Sequence, residues 1–181
     1  MSADTPSLSG YLLVATPIID GPPFRRSVIY IGEHDTSGAL GVILNSPSRL
    51  SVVEVLPELT HLTSDPPVVY LGGPVQTDAA MVLAQSKGCQ FAMETTFADI
   101  GLVDPANPPA DTTALRVYAG FSGWGPGQLE EEIIMGSWWT TEARREDLFA
   151  SEGVDLWTNA VRRIGGRKLF YLTYPDDPTM N

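Results

Sequence analysis

Three consecutive carboxylates, Glu130, Glu131 and Glu132, follow a cluster of Gly123, Trp124, Gly125, Pro126 and Gly127 in the stretch FSGWGPGQLEEEI, residues 121–133. Glycines before a helix suggest a phosphate cradle. A P-loop, however, needs a lysine and a hydroxyl after its last glycine, and here Gln128 and Leu129 follow Gly127. The dinucleotide fingerprint fails as well, because Gln128 stands where its third glycine belongs, and carboxylates one turn on would repel phosphate. Gly120-Phe121-Ser122-Gly123-Trp124 approaches the nucleophile elbow of hydrolases, yet Trp124 fills a position that needs a small residue. A triad base would have to be His34 or His61, since the chain has 2 histidines. The stretch reads instead as a helix start: Pro126 suits the first helical position, Gln128 can reach back to the cap, and the glutamates oppose the helix dipole. At about 100° per residue the three glutamates sweep about 200°, and Leu129, Ile133, Ile134 and Met135 take most of the rest. Such a helix is expected to be largely buried, with Glu130 or Glu132 facing protein. A buried carboxylate needs a cation or a hydrogen-bond donor. Arg25 or Arg26 is the expected partner, with Arg116 and the C-terminal arginines as alternatives.

Glu33, His34 and Asp35 form a second polar group. On a strand Glu33 and His34 point to opposite faces, and no second histidine stands at a ligand spacing, so a hydrogen-bonded structural His34 is expected and no metal. Cys89, in Lys87-Gly88-Cys89, lacks an orienting third residue for a Cys–His pair. Asn45 before Ser46-Pro47, and Gly72-Gly73-Pro74, read as turn chemistry, with glycine N–H groups that could hold an anion. Arg144, Arg145, Arg162, Arg163, Arg167 and Lys168 gather in one stretch, interspersed with Glu146, Asp147, Glu152 and Asp155. Solvated helix faces are the simplest reading of that pattern.

The elements that must position these groups follow from hydrophobic periodicity. Tyr11 to Ala15 is a short apolar strand. RSVIYIGEH and ALGVILN flank the DTSG turn as a β-hairpin, and both are apolar on successive positions, which predicts central strands covered on both faces. Ser51 and Glu54 have capping-box spacing, and Pro57 would kink the helix they begin. VVYL, AAMVLAQ and ALRVYAG predict further strands, whereas residues 87–111 give no clear assignment. GSWWTTEA reads as a strand or an irregular crossing. A helix near Gly153 presents Val154, Trp157, Val161 and Ile164 as its apolar stripe and turns Arg162 and Arg163 away from it. KLFYLTY is expected to close the sheet.

The totals bound the class. A chain of 181 residues with 43% hydrophobic and 18% charged residues suits one globular domain, residues 1–181, with residues 1–9 and 176–181 as flexible tails. No repeat, signal peptide or apolar run of membrane-spanning length is visible, and 1 cysteine suits a reducing compartment, so a cytoplasmic location is expected. The net charge of −11 opposes direct nucleic-acid binding.

The motifs FRRSVIYIGEH, GALGVILNSP, LGGPV and GFSGWGPGQLEEEI, in this order, resemble the successive signatures of the YqgE/AlgH family, also called UPF0301. The resemblance implies an α+β domain with a mixed, mostly antiparallel, curved and partly barrel-like sheet flanked by helices. Its pattern falls on Arg26, Ser27, Glu33, His34, Gly41, Asn45, Pro47, Gly72, Gly73, Pro74, Trp124, Gly127, Gln128, Glu130 and Glu132. Of these, Arg26, Ser27, Glu33, His34, Asn45, Gly72, Gly73, Trp124, Gln128, Glu130 and Glu132 are the candidate binding residues. The pattern does not require Ser122, and it supplies no reaction. Some members carry a transcriptional-regulator label, but the absence of a helix-turn-helix and the acidity of this chain point away from DNA reading. The expectation is a non-enzymatic binding or regulatory module without a cofactor, acting through a protein or small-anion partner. The alternative is a hydrolase using Glu33, His34 and Glu130 or Glu132 as acid and base, which requires Arg26, His34, Asn45 and a glutamate to converge on one pocket.

Overall fold

The computed structural model describes residues 6–63, 67–88, 91–150 and 155–173. Cys89, Glu152 and Val154, and tail residues 1–5 and 176–181, for which the sequence raises expectations above, lie outside them. Residues 7–9, expected as part of a tail, are bonded to the sheet: the Ser7 and Ser9 hydroxyls donate to the carbonyls of His34 and Gly32.

The hairpin forms as the alternation dictates. β1 (Tyr11–Ala15) pairs antiparallel with β2 (Val28–Asp35), and β2 with β3 (Gly38–Ile43). Val28, Tyr30 and Val42 enter one core with Leu12 and Val14, while Ile29, Ile31 and Ile43 enter another with Leu13 and Ala15. Both faces are therefore buried, as apolar residues on successive positions require. The remaining strands are β4 (Pro47–Ser51), β5 (Val68–Leu71), β6 (Val75–Gln85), β7 (Met93–Glu94), β8 (Ile100–Val103), β9 (Ala114–Trp124) and β10 (Trp138–Glu142). The main path runs β10-β1-β2-β3-β9-β6-β8-β7, with β5 joining β9 and β4 joining β5. Among the described strands only the β5–β9 pairing is parallel, so the sheet is mixed and mostly antiparallel; it is curved and does not close, which leaves β10 and β7 at its ends.

Helices cover both faces. α4 (Leu156–Ile164) starts on the Asp155 side chain, which accepts from Thr158 N–H, and buries Leu156, Trp157, Ala160 and Val161 against β1 and β2. The opposite face is covered by α2 (Gln128–Ile134) together with Trp124 and Trp138. A third core lies under α1 (Val52–Val55) and a 3-10 segment (Pro57–Leu62), joining Val52 and Leu59 to Val82, Leu115 and Val117. The Ser51–Glu54 capping box is formed, and Pro57 ends α1 after one turn because it has no N–H to donate. A short helix α3 (Arg145–Leu148) follows β10.

Two assignments change. Residues 168–173 were expected in a closing strand, but Gly166–Thr173 is a 3-10 segment. Gly165 and Gly166, at φ 69° and 65°, end α4 and turn the chain, so that Tyr171 packs on Trp139 instead of extending the sheet. The stretch 87–111, unassigned from sequence, contains β7 and β8, strands too short to carry a periodic signal.

Candidate functional site

The opening motif builds a short helix by a different device from the one expected. β9 continues through Trp124, Gly127 takes a left-handed φ of 74° as the N-cap, and α2 begins at Gln128 rather than at Pro126. Gln128 does reach back: its Oε1 accepts from Gly125 N–H at 3.0 Å. The helix is not largely buried. It lasts 7 residues and Leu129 is its buried member, while Ile134 is 85% exposed and Met135, just beyond it, 67% exposed. Two turns are too short for the circumference argument, because one side lies on the sheet and the far end projects past it.

Glu132 and Glu130 both turn inward, but neither pairs with Arg25 or Arg26. The Glu132 carboxylate accepts from Trp138 Nε1 at 2.7 Å, Trp124 Nε1 at 2.9 Å and Gln128 Nε2 at 2.9 Å. It ties β9, α2 and β10 into one corner. Glu130 Oε1 lies 3.0 Å from His34 Nε2, and Leu8 N–H donates to His34 Nδ1 at 2.9 Å. Since Nδ1 accepts, the imidazole proton resides on Nε2, and His34 donates it to Glu130. The second Glu130 oxygen is buried without a partner among the described residues. Glu33 faces out beside the buried His34, as strand alternation required. The arginine expectation failed because the Arg26 guanidinium lies on the other face of the sheet, 4.6 Å from the ring of Trp157.

Arg26 and Asn45 belong to a second place. Arg26 has φ 50°, rare for a non-glycine residue, and Asn45 braces it: Nδ2 donates to Arg26 C=O at 2.9 Å while Oδ1 accepts from Val28 N–H at 2.8 Å. Ser27, next in the chain, is buried. Val28 opens β2 and His34 lies near its end, so these groups are separated by most of the strand's length. Gly72 and Gly73 make a third place. A Cβ on either would run into the main chain of Gly120 or Phe121, so the glycines permit β5 to leave β9 at close range. Ser122 is buried there and donates to Gly72 C=O at 3.1 Å, which removes it as a nucleophile candidate. Arg26, His34, Asn45 and the glutamates do not converge on one pocket.

The basic stretch holds groups that sequence reading missed. Arg163, expected to point away from the core, makes a bidentate pair with Asp147 at 2.7 and 2.8 Å, with side chains 16% and 3% exposed, and that carboxylate holds the guanidinium above its ordinary pKa. Arg145 pairs with Asp99 at 2.6 and 2.8 Å and, with Gln85, holds that carboxyl well below the usual range. Arg116 is buried without a carboxylate among the described residues; it donates to the carbonyls of Leu44 and Ala150 and lies 4.2 Å from the Tyr70 ring. Burial pushes the neighbouring Tyr118 phenol up to about 12, with Arg116 opposing the shift. Two concavities open nearby. One of about 560 Å³ is lined by Arg144, Asn159, Arg162 and Arg163 over the Asp147 pair. The other, about 310 Å³, lies among Pro17, Ile18, Trp139, Arg167, Lys168 and Tyr171. Among the described residues no three of His, Cys, Asp and Glu converge as a metal site, and no helix is long and apolar enough to cross a membrane.

The chain has many relatives by sequence, and solved structures share its architecture. A family model described as AlgH-like matches residues 12–169. A UPF0301 protein of Thermobifida fusca is 42% identical, covering 98% of both chains, and one of Streptomyces coelicolor is 40% identical over 97% of this chain and 96% of its own. Among solved structures, a Corynebacterium diphtheriae protein superimposes with a TM-score of 0.80 at 29% identity, covering 96% of this chain and 95% of that one. The solution structure of the AlgH protein from Pseudomonas aeruginosa does so at 0.68 and 28% identity, covering 97% and 98%.

Proposed function

The chain belongs to the AlgH-like (UPF0301) family, and from that premise we propose that it is a non-enzymatic cytoplasmic binding or regulatory module that acts by docking a protein partner. The observation that carries this reading is the contrast between its polar residues and one apolar surface. His34, Asn45, Gln128, Glu130 and Glu132 are engaged with one another, with indoles or with main chain. Their bonds hold strands and helix together. Around Gly136, by contrast, Ile18 at 69%, Ile134 and Met135 are bare, and Ile18 lies in van der Waals range of the Gly136 position. Large aliphatic side chains grouped on a surface mark a place where a partner excludes water. The cytoplasmic location rests on the low cysteine content. A small anion is the second partner class; Arg144, Asn159 and Arg162 line one concavity, although Glu146 and Asp147 line it as well. The net charge of −11 supports a regulatory effect passing through a partner rather than through DNA.

Quantitative affinity capture from native lysate tests this with wild type, Ile134→Asp/Met135→Asp and Glu130→Gln. Proteins retained by wild type and by Glu130→Gln are expected to be lost from the double variant, whose unfolding midpoint stays unchanged because both residues are exposed. The hydrolase alternative expects turnover on a panel of ester, amide and phosphate substrates, abolished by His34→Gln in a folded protein with capture intact. That outcome would overturn the non-enzymatic reading, and capture undiminished in the double variant would overturn docking.

A further inference from the structure

Among the described residues β10 is the end strand of the sheet and pairs only with β1. The bonds from Ala143 N–H to Gly10 C=O and from Thr16 N–H to Ser137 C=O fix which residues face β1. By antiparallel alternation, Trp138, Thr140 and Glu142 turn their N–H and C=O groups the other way, to the open edge. Arg163 already occupies the Glu142 carbonyl at 3.2 Å, so the free template is Trp138 to Thr140. Native edges are blunted by shortness, charge or cover, as the two-residue β7 is at the opposite end; β10 carries the uncharged run Trp138-Trp139-Thr140-Thr141 instead.

Beside this edge lies the smaller concavity. Trp139 and Tyr171 line it with ring centroids 5.3 Å apart, together with the apolar Pro17 and Ile18. Arg167 and Lys168 stand at its rim; the Lys168 ammonium lies 5.7 Å from the Trp139 ring, and neither residue makes an ion pair among the described residues. Two unneutralised cations at an apolar groove, on a molecule of net charge −11, select a partner carrying carboxylates. The same net charge opposes an anionic membrane.

We propose that the open edge of β10 and this groove together receive an extended acidic segment of a partner protein. Its main chain adds to the sheet along Trp138–Thr140, an apolar side chain enters between Ile18, Trp139 and Tyr171, and its carboxylates meet Arg167 and Lys168. This rests on the docking reading above and specifies the chemistry of the partner.

The test is to pan a random peptide library, about 12 residues long, against the full chain and to measure the selected peptides on variants. Selected peptides are expected to place Asp or Glu around one hydrophobic residue. Arg167→Glu/Lys168→Glu and Thr140→Pro are each expected to weaken them at least about tenfold. Thr140→Pro removes only an N–H that faces outward, so its thermal midpoint should stay near wild type, and circular dichroism checks this. N-methylation of the peptide at alternate residues should abolish binding, and at the intervening residues should leave it intact, the mark of strand addition. Selection of peptides without acidic residues, equal binding to all variants, indifference to N-methylation, or binding to phosphatidylglycerol vesicles in place of peptides would overturn the proposal. Peptides lost only from Ile134→Asp/Met135→Asp would overturn the groove while leaving the docking reading standing. Absence of any peptide, joined to turnover that His34→Gln abolishes, would sink both.

Discussion

Among single residues, Glu132 has the largest structural role in the motif. It is one acceptor for three donors, two of them indole N–H groups of buried tryptophans. Removing it leaves those donors unpaired, and a buried unsatisfied donor costs about 1–3 kcal/mol. Glu132→Ala is therefore expected to lower unfolding free energy by about 3 kcal/mol, and Glu130→Ala, which loses one bond at a side chain 29% exposed, by about 1 kcal/mol. Urea unfolding of both variants checks the order. Double-mutant cycles sharpen it. His34 with Glu130 should couple by more than about 0.5 kcal/mol, whereas Arg26 with Glu132, on opposite faces of the sheet, should be additive within that margin.

At the scale of elements, the pair between Arg163 of α4 and Asp147 of α3 ties together two helices that bury side chains in the core on the Trp157 face of β1 and β2. Asp147 also accepts from Arg144 N–H at 2.7 Å, so one carboxylate caps α3 and grips α4. Breaking a buried pair from one side leaves the other charge uncompensated, at about 3–5 kcal/mol, and the partial exposure of Arg163 puts the expectation for Asp147→Asn at the lower end, about 3 kcal/mol. Arg144→Ala, which keeps the backbone donor and loses only a solvent-exposed contact with Glu146, should change stability by less than about 1 kcal/mol. Thermal unfolding followed by circular dichroism distinguishes the two.

For the whole molecule, the Asp99–Arg145 pair links the β6–β8 half of the sheet to the helical half after β10. Arg145 depresses the folded-state value of Asp99 below its ordinary 3.8. A carboxyl whose folded value is depressed contributes stability that is present above the unfolded value and is lost as pH falls toward the folded one. Asp99→Asn should be less stable than wild type near neutral pH, and the gap should narrow as pH drops below 3.8. Denaturant midpoints at about pH 7 and about pH 3 measure it; a constant gap would mean that the pair is a surface contact without linkage to folding.

The sequence by itself determined what depends on neighbours along the chain. The hairpin, the two-sided burial of its strands, the Ser51 capping box and the opposed directions of Glu33 and His34 all follow from periods of two and from cap spacing. It also placed at least one inward carboxylate in the glutamate run. Which donors that carboxylate meets was decided only when the strands were ordered. Trp124 ends β9, Trp138 starts β10, and the helix between them folds back so that both indoles reach Glu132, whereas Arg26 leaves the hairpin on the other side of the sheet. The buried Arg163–Asp147 pair was likewise hidden, because both residues sit in a charge-rich run that looks solvated until α4 is laid on the sheet. The open edge of β10 was invisible for the same reason: whether a strand is central or terminal is a property of the pairing order, not of its residues. Propensity and periodicity act over a few residues, whereas the partner of a buried polar group is fixed by contacts across the sheet.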